Sequence, residues 1–192
     1  MLQIVIASTR PTRVGGAVAA WFAEHAREHD GFEVEVIDLA DVDLPMLSEP
    51  NHPLTGKYLQ QTTLQWSARI ERAQFYVLVT PEYNNGYPAV LKNALDHLNK
   101  EWWYKAVGFV SYGGISGGSR AVQQLKQVVT MLRMVPVASG AVIPFVAKHL
   151  SDGVFQPSDE MNASAKAMLD ELLLVGTPLI PLHHRSVAQP VD

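Results

Sequence analysis

The sequence predicts an α/β fold, a doubly wound parallel sheet of five strands with helices on both faces. Three observations carry that prediction. Short apolar runs alternate with helical patterns along the whole chain, the pattern of a parallel sheet wrapped by crossovers. The runs at 2–7, 75–79 and 105–111 are apolar almost throughout, as strands covered on both faces are. The turns rich in hydroxyl, arginine or glycine follow the first, third and fourth runs, where such sheets carry their ligand-binding loops.

Taken in order, residues 2–7 form a buried strand and 14–29 a first helix. Residues 32–39 alternate polar and apolar, which predicts an edge strand. A connection carrying Pro45, Pro50 and Pro53 leads to a helix over 57–72. A strand at 75–79 precedes a helix at 89–99, and a strand at 105–111 precedes a helix at 119–133. The last strand is predicted at 137–143 and the last helix at 158–175. Right-handed crossovers place these strands in the flavodoxin-like order 2-1-3-4-5. Residues 1–177 are then one domain. Residues 178–192 form a tail whose Pro178, Pro181 and Pro190 predict an extended or loose segment.

Composition narrows the chemistry. At 192 residues the chain has room for one domain with a substantial core. A net charge of −4 argues against general nucleic-acid binding. With no cysteine, disulfides, thiolate nucleophiles, cysteine-held zinc and iron–sulfur clusters are ruled out. The N-terminal run lacks the basic start and long apolar stretch of a signal peptide, and no later run predicts a membrane span. The expected location is cytoplasmic, with no membrane partner.

The first turn, Ser8-Thr9-Arg10-Pro11-Thr12-Arg13, leads directly into Val14-Gly15-Gly16 at the expected helix start. Unpaired amides and the helix dipole meet two arginines and three hydroxyls there, a combination suited to an anion. The same residues also fit a surface turn with Ser8 or Thr12 as a helix cap. The turn lacks both the Gly-x-x-x-x-Gly-Lys-[Ser/Thr] cradle and the Gly-x-Gly-x-x-Gly fingerprint, which argues against ATP or GTP hydrolysis and a Rossmann-type dinucleotide. A terminal phosphate monoester, as in FMN, remains.

The second turn, Pro81-Glu82-Tyr83-Asn84-Asn85-Gly86-Tyr87-Pro88, is stiffened by prolines at both ends, with Gly86 expected to take the unusual backbone angle. It suits a flat heteroaromatic ring, or is simply a tight connection. The third, Ser111-Tyr112-Gly113-Gly114-Ile115-Ser116-Gly117-Gly118-Ser119-Arg120, permits close backbone approach to a ligand. It also contains Gly114-x-Ser116-x-Gly118, the nucleophile-elbow pattern of serine hydrolases. That reading needs Asp152 with His183 or His184 as partners for Ser116.

Ser8-x-Arg10, Pro81-Glu82-Tyr83-Asn84, Pro88-Ala89-Val90-Leu91-Lys92-Asn93-Ala94-Leu95-Asp96 and Gly114-x-x-Gly117-Gly118-x-Arg120 together resemble the NADPH-dependent FMN reductase family. That group includes many quinone, azo-dye and chromate reductases, and the resemblance spans about residues 1–145. It implies FMN and NAD(P)H as cofactors. Ser8, Arg10, Arg13, Val14 and Gly15 would hold the FMN phosphate. Pro81, Glu82, Tyr83, Asn84 and Gly86 would lie along the isoalloxazine ring, with Tyr112 and Gly114 approaching it from the third loop. The chain departs from the family at Ala7, where Gly is frequent, and at Arg13 and Gly86, where Ser is frequent.

The resemblance further implies a small-molecule electron acceptor and a homodimer or dimer of dimers. Trp102, Trp103 and Tyr104 fit either core packing or a subunit interface. His25 and His29 stand four apart on the first helix, a spacing that binds metal only with further ligands; the expectation is none. With a flavin carrying the hydride, no catalytic acid–base pair is required. The alternatives are a flavodoxin-type electron carrier and, further off, a hydrolase using Ser116.

Overall fold

The computed structural model describes residues 1–187. Its elements run β1 (Leu2–Ile6), α1 (Gly15–Glu28), β2 (Val34–Asp38), α2 (Leu39–Val42), α3 (Gln61–Glu71), β3 (Phe75–Pro81), α4 (Ala89–Asp96), β4 (Ala106–Tyr112) and α5 (Ser119–Met131). Then follow β5 (Val135–Pro136), β6 (Ala141–Ile143), β7 (Leu150–Ser151), β8 (Val154–Phe155), α6 (Asp159–Gly176) and α7 (Ile180–Val187). The main sheet has the order β2-β1-β3-β4-β5, with β6 also on β4, and every pairing in it is parallel. This is the doubly wound, flavodoxin-like order, with β1 and β3 as neighbours.

Alternation along the central strands divides the core in two. Leu2, Ile4, Ile6, Phe75, Val77, Val79, Ala106, Val110 and Tyr112 pack under α1 and α6. Val5, Tyr76, Leu78, Val107 and Phe109 pack under α3, α4 and α5 on the other face. Two apolar faces explain why these strands read as continuous apolar runs. Ser158 caps α6 through the amide of Met161, and Asp159 and Glu160 occupy its first turn. At its far end Gly176 lets the helix close on the sheet, since a Cβ there would lie 2.5 Å from the Phe75 ring. No helix among the described residues is long and apolar enough to cross a membrane.

Two expectations need correction, and one left open between two readings falls on the core side. The strand predicted at 137–143 is interrupted. On either side of Pro136 the amides of Val135 and Val137 donate to the Lys105 and Val107 carbonyls, and then the backbone turns away: Ala138 and Ser139 donate to Glu171 of α6 at 2.9 and 2.7 Å. Pairing with β4 resumes only at Ala141. The segment after Gly176 is a 3₁₀ turn and α7 rather than an extended stretch, as far as Val187. Pro178 and Pro181 fall in first turns, where a missing N–H costs nothing. Residues 188–192, with Pro190, lie outside the described residues. Finally, Trp102 and Trp103 are buried. Trp102 packs edge-on against Trp66 and Tyr76, and its indole donates to the Leu95 carbonyl. They are core residues.

Candidate functional site

The loops after β1, β3 and β4 meet at the carboxyl ends of three adjacent strands. Side chains tie them together. Tyr112, at the end of β4, donates to the Ser8 hydroxyl at 3.1 Å. Burial pushes the Tyr112 phenol up to about 12, against the opposing effect of its bond to Ser8. Both side chains are almost wholly buried and form a floor beneath the first loop. Gly15, the first residue of α1, packs on that floor. A Cβ there would run into the Ser8 hydroxyl and lie 2.6 Å from the Tyr112 oxygen, so the position is kept as glycine by close approach.

Above the floor, α1 begins without a side-chain cap and without an acid in its first turn. Its leading amides are therefore available to an anion. Arg10 is exposed on this loop and pairs with no carboxylate among the described residues. Arg13 is different: its guanidinium holds Asp38 at 2.6 Å. Asp38 ends β2 and also accepts from the Ala40 amide, capping α2. One arm of the Arg13 guanidinium is thus committed within the protein.

The second loop is a tight turn in which Tyr83 and Gly86 exchange backbone hydrogen bonds of 2.8 and 2.9 Å. The left-handed residues are Asn84 and Asn85, with φ of 51° and 69°, whereas Gly86 is not among the positive-φ positions. The expectation for Gly86 is corrected accordingly, because asparagine tolerates this conformation. Gly86 instead lets Gln124 of α5 come close; a Cβ would stand 3.2 Å from its side-chain oxygen. Glu82 does not face outward. It accepts from the Arg120 amide at 3.1 Å and pairs with the Arg120 guanidinium. Burial alone would raise the Glu82 carboxyl, but hydrogen bonds from Arg120 and Ser116 outweigh it and hold it below the usual range. Glu82 locks the second loop to the start of α5.

In the third loop Gly117 and Gly118 adopt φ of 59° and 88°. A Cβ on Gly118 would meet the Tyr112 amide at 2.9 Å. Gly114 and Ile115 form the exposed crest, and the Gly114 carbonyl accepts from Phe145 and Gly117.

Of the sequence-derived residues, Ser8, Arg10, Arg13, Val14 and Gly15 cluster around the start of α1. Pro81, Glu82, Tyr83, Asn84 and Gly86 form the adjacent wall with Gly114. Tyr112 belongs to the Ser8 side, beneath the first loop. Asp38, Arg120 and Gln124 were not singled out as site residues, although Arg120 stands in the glycine-rich motif. The hydrolase constellation does not assemble. His183 bridges the Trp103 carbonyl and Glu71 near the amino ends of β3 and β4, with His184 beside it. Ser116 lies past the opposite end of β4, and Asp152 sits in the β7–β8 turn.

The profile of the NADPH-dependent FMN reductase family matches residues 2–147. The chain belongs to this family. It is 39% identical to an NAD(P)H-dependent FMN reductase of Schizosaccharomyces pombe, over 84% of this chain and 81% of that one. It is 28% identical to an FMN-dependent NADPH-azoreductase of Staphylococcus aureus, over 88% and 92%. Among solved structures, the flavoenzyme NAD(P)H:(acceptor) oxidoreductase FerB of Paracoccus denitrificans superposes with a TM-score of 0.71 at 22% identity, over 91% of this chain and 98% of FerB. The family's cofactor suits the residues found: an uncapped helix start, an unpaired arginine, a floor that admits only glycine, and a turn-built wall.

Proposed function

We propose that this FMN reductase family member carries a hydride from NAD(P)H, by way of FMN held in the three-loop crevice, to a quinone, an azo compound, a similar acceptor or free flavin. The observation that carries the reading is the uncapped start of α1, which overlies Gly15 and the Ser8–Tyr112 floor and lies beside Arg10. The first amides of α1 and Arg10 grip the phosphate. Arg13, oriented by Asp38, adds charge from the side, and Ser8 and Tyr112 keep the floor rigid. The Tyr83–Gly86 turn, fixed by Glu82–Arg120, would give the ring a flat wall, and the amides around Gly114 would offer it hydrogen-bond donors. Bound FMN supplies the hydride exchange itself, so the chain needs no catalytic acid–base pair, and Ser116 plays no nucleophilic part.

The exposed crest of the crevice leaves room for nicotinamide and acceptor to use one place in turn. The protein works in the cytoplasm as a homodimer, with helix α4 at the subunit contact. Stopped-flow and steady-state assays of FMN-loaded protein with NADPH and a quinone test the reading. Rapid NADPH oxidation that depends on added quinone is expected; negligible oxidation by fully loaded protein would leave a flavodoxin-type carrier in its place.

A further inference from the structure

Behind the third loop, α5 crosses the interruption between β5 and β6 and leaves a cavity of about 180 Å³. Its polar lining consists of Ser111, Ser119, Gln123, Lys126 and Ser139. Every one of these side chains carries a hydrogen-bond donor, and no carboxylate of the described residues lines the cavity.

Two features mark it as more than a packing gap. Ser111 is 1% exposed, on the α5 face of β4, and its hydroxyl has no hydrogen-bond partner among the described residues. A buried hydroxyl normally has one, because leaving it unpaired forfeits its hydration without return. Lys126, at the rim, makes no ion pair among the described residues. Glu171, just behind the wall, is held below the usual carboxylate range by the Ser139 side chain and by the amides of Ala138 and Ser139, with Lys126 adding a smaller pull. One water takes up roughly 30 Å³ in the liquid, so the space exceeds what a single bridging water would need.

We propose that this cavity is a second binding site, for a small oxyanion, holding a carboxylate or phosphate group against Ser111, Ser119 and Lys126. It is separate from the flavin crevice and lies on the far side of the third loop. It does not depend on which acceptor the protein reduces. Ser111 precedes Tyr112 in β4, and both pack against Gly118, where a Cβ would stand 2.8 Å from the Ser111 Cβ. Occupancy is therefore transmitted to the loop that floors and borders the flavin.

The test uses FMN-loaded protein, so that the crevice is already filled. Inorganic phosphate and acetate are titrated separately by calorimetry and by amide chemical shifts, with chloride as the ionic-strength control, up to about 20 mM, a range that detects millimolar binding. Saturable binding of either, with shifts centred on Ser111, Ser119 and Ser139, is expected; which of the two binds more tightly identifies the source. Lys126→Met and Ser111→Ala should each weaken it about tenfold or more, Lys126→Arg should retain it, and Arg10→Ala should leave it intact. The proposal is overturned if neither anion saturates, or if binding is lost in Arg10→Ala and indifferent to Lys126→Met. NADPH oxidation, measured on the same samples, reports on the reductase reading independently.

Discussion

At the carboxyl end of the sheet Arg10 and the first amides of α1 face solvent, with the neighbouring Asp38 carboxylate turned to Arg13, and glycines hold the loops close. At the amino end, polar groups satisfy one another away from water. Lys105 is 2% exposed and donates to the carbonyls of Ile70 and Glu71. His183 spans from Trp103 to Glu71, and Glu101 accepts from Ser67 at 2.6 Å and Tyr58 at 3.1 Å. The contrast separates two uses of polarity. Donors left unspent mark a place for a ligand, whereas donors matched inside the chain fasten α3, β4 and α7 together.

If that division is right, changes at the first end lower flavin affinity and leave stability almost untouched. The largest effect is expected for Gly15→Ala. Here alone the fold suffers as well: overpacking the floor costs about 1–3 kcal/mol of stability, and the displaced start of α1 should weaken FMN binding by about ten- to a hundredfold in a fluorescence titration. Arg10→Ala comes next. Loss of a charge-assisted bond worth about 1.5–3 kcal/mol should raise the FMN Kd at least tenfold, and added salt should narrow the gap to wild type. An unchanged Kd in both variants would move the phosphate away from α1.

The amino end is probed by pH. Burial lowers the Lys105 ammonium to about 8, against the pull of Glu71 and Glu101. Below that pH both folded and unfolded chains hold the proton, and the folded one bears the cost of the buried charge. Between about 8 and the ordinary lysine value near 10.4 the folded chain releases it first, so this group makes stability rise with pH, by at most about 1.4 kcal/mol per unit. Buried Tyr76, whose phenol is raised well above its ordinary value, works the other way once unfolded tyrosines ionise near 10. Urea melts between pH 7.5 and 9.5 should show the rise in wild type and a flatter profile in Lys105→Met, with FMN affinity equal in the two.

The smallest effect is expected for Arg13→Ser. Asp38 already holds that guanidinium, so FMN binding should weaken by only a few-fold, about 0–1 kcal/mol as for a part-exposed pair. A loss as large as that for Arg10→Ala would show that the two arginines grip equally.

The same contrast explains what could be read from the sequence. The loops were legible because their residue types are local: hydroxyls and arginines before a helix, prolines bracketing a turn, a run of glycines. The sheet order followed from apolar periodicity. What stayed hidden depends on partners far along the chain. Arg13 meets Asp38 only because β1 and β2 pair in the register Ile6 to Asp38. The fifth strand breaks where Glu171, more than thirty residues on, takes two of its amides. The prolines of the tail suggested an extended segment, but their first-turn positions let α7 form and His183 anchor it. Gly86 drew attention as the flexible residue, while the two asparagines before it took the strained angles.

The interruption between β5 and β6 also bears on how the protein keeps to itself. An open parallel sheet ends in unpaired amides and carbonyls that a second chain can join. Here Pro136 has no amide to offer, the amides of Ala138 and Ser139 are bound to Glu171, and only three residues resume the strand. At the opposite edge, Glu35 of β2 is clasped by Arg69 and Arg72, which sets charge beside the other exposed border. Both margins are poor templates for another strand, so the chain can be concentrated in a cell without its sheets growing into one another.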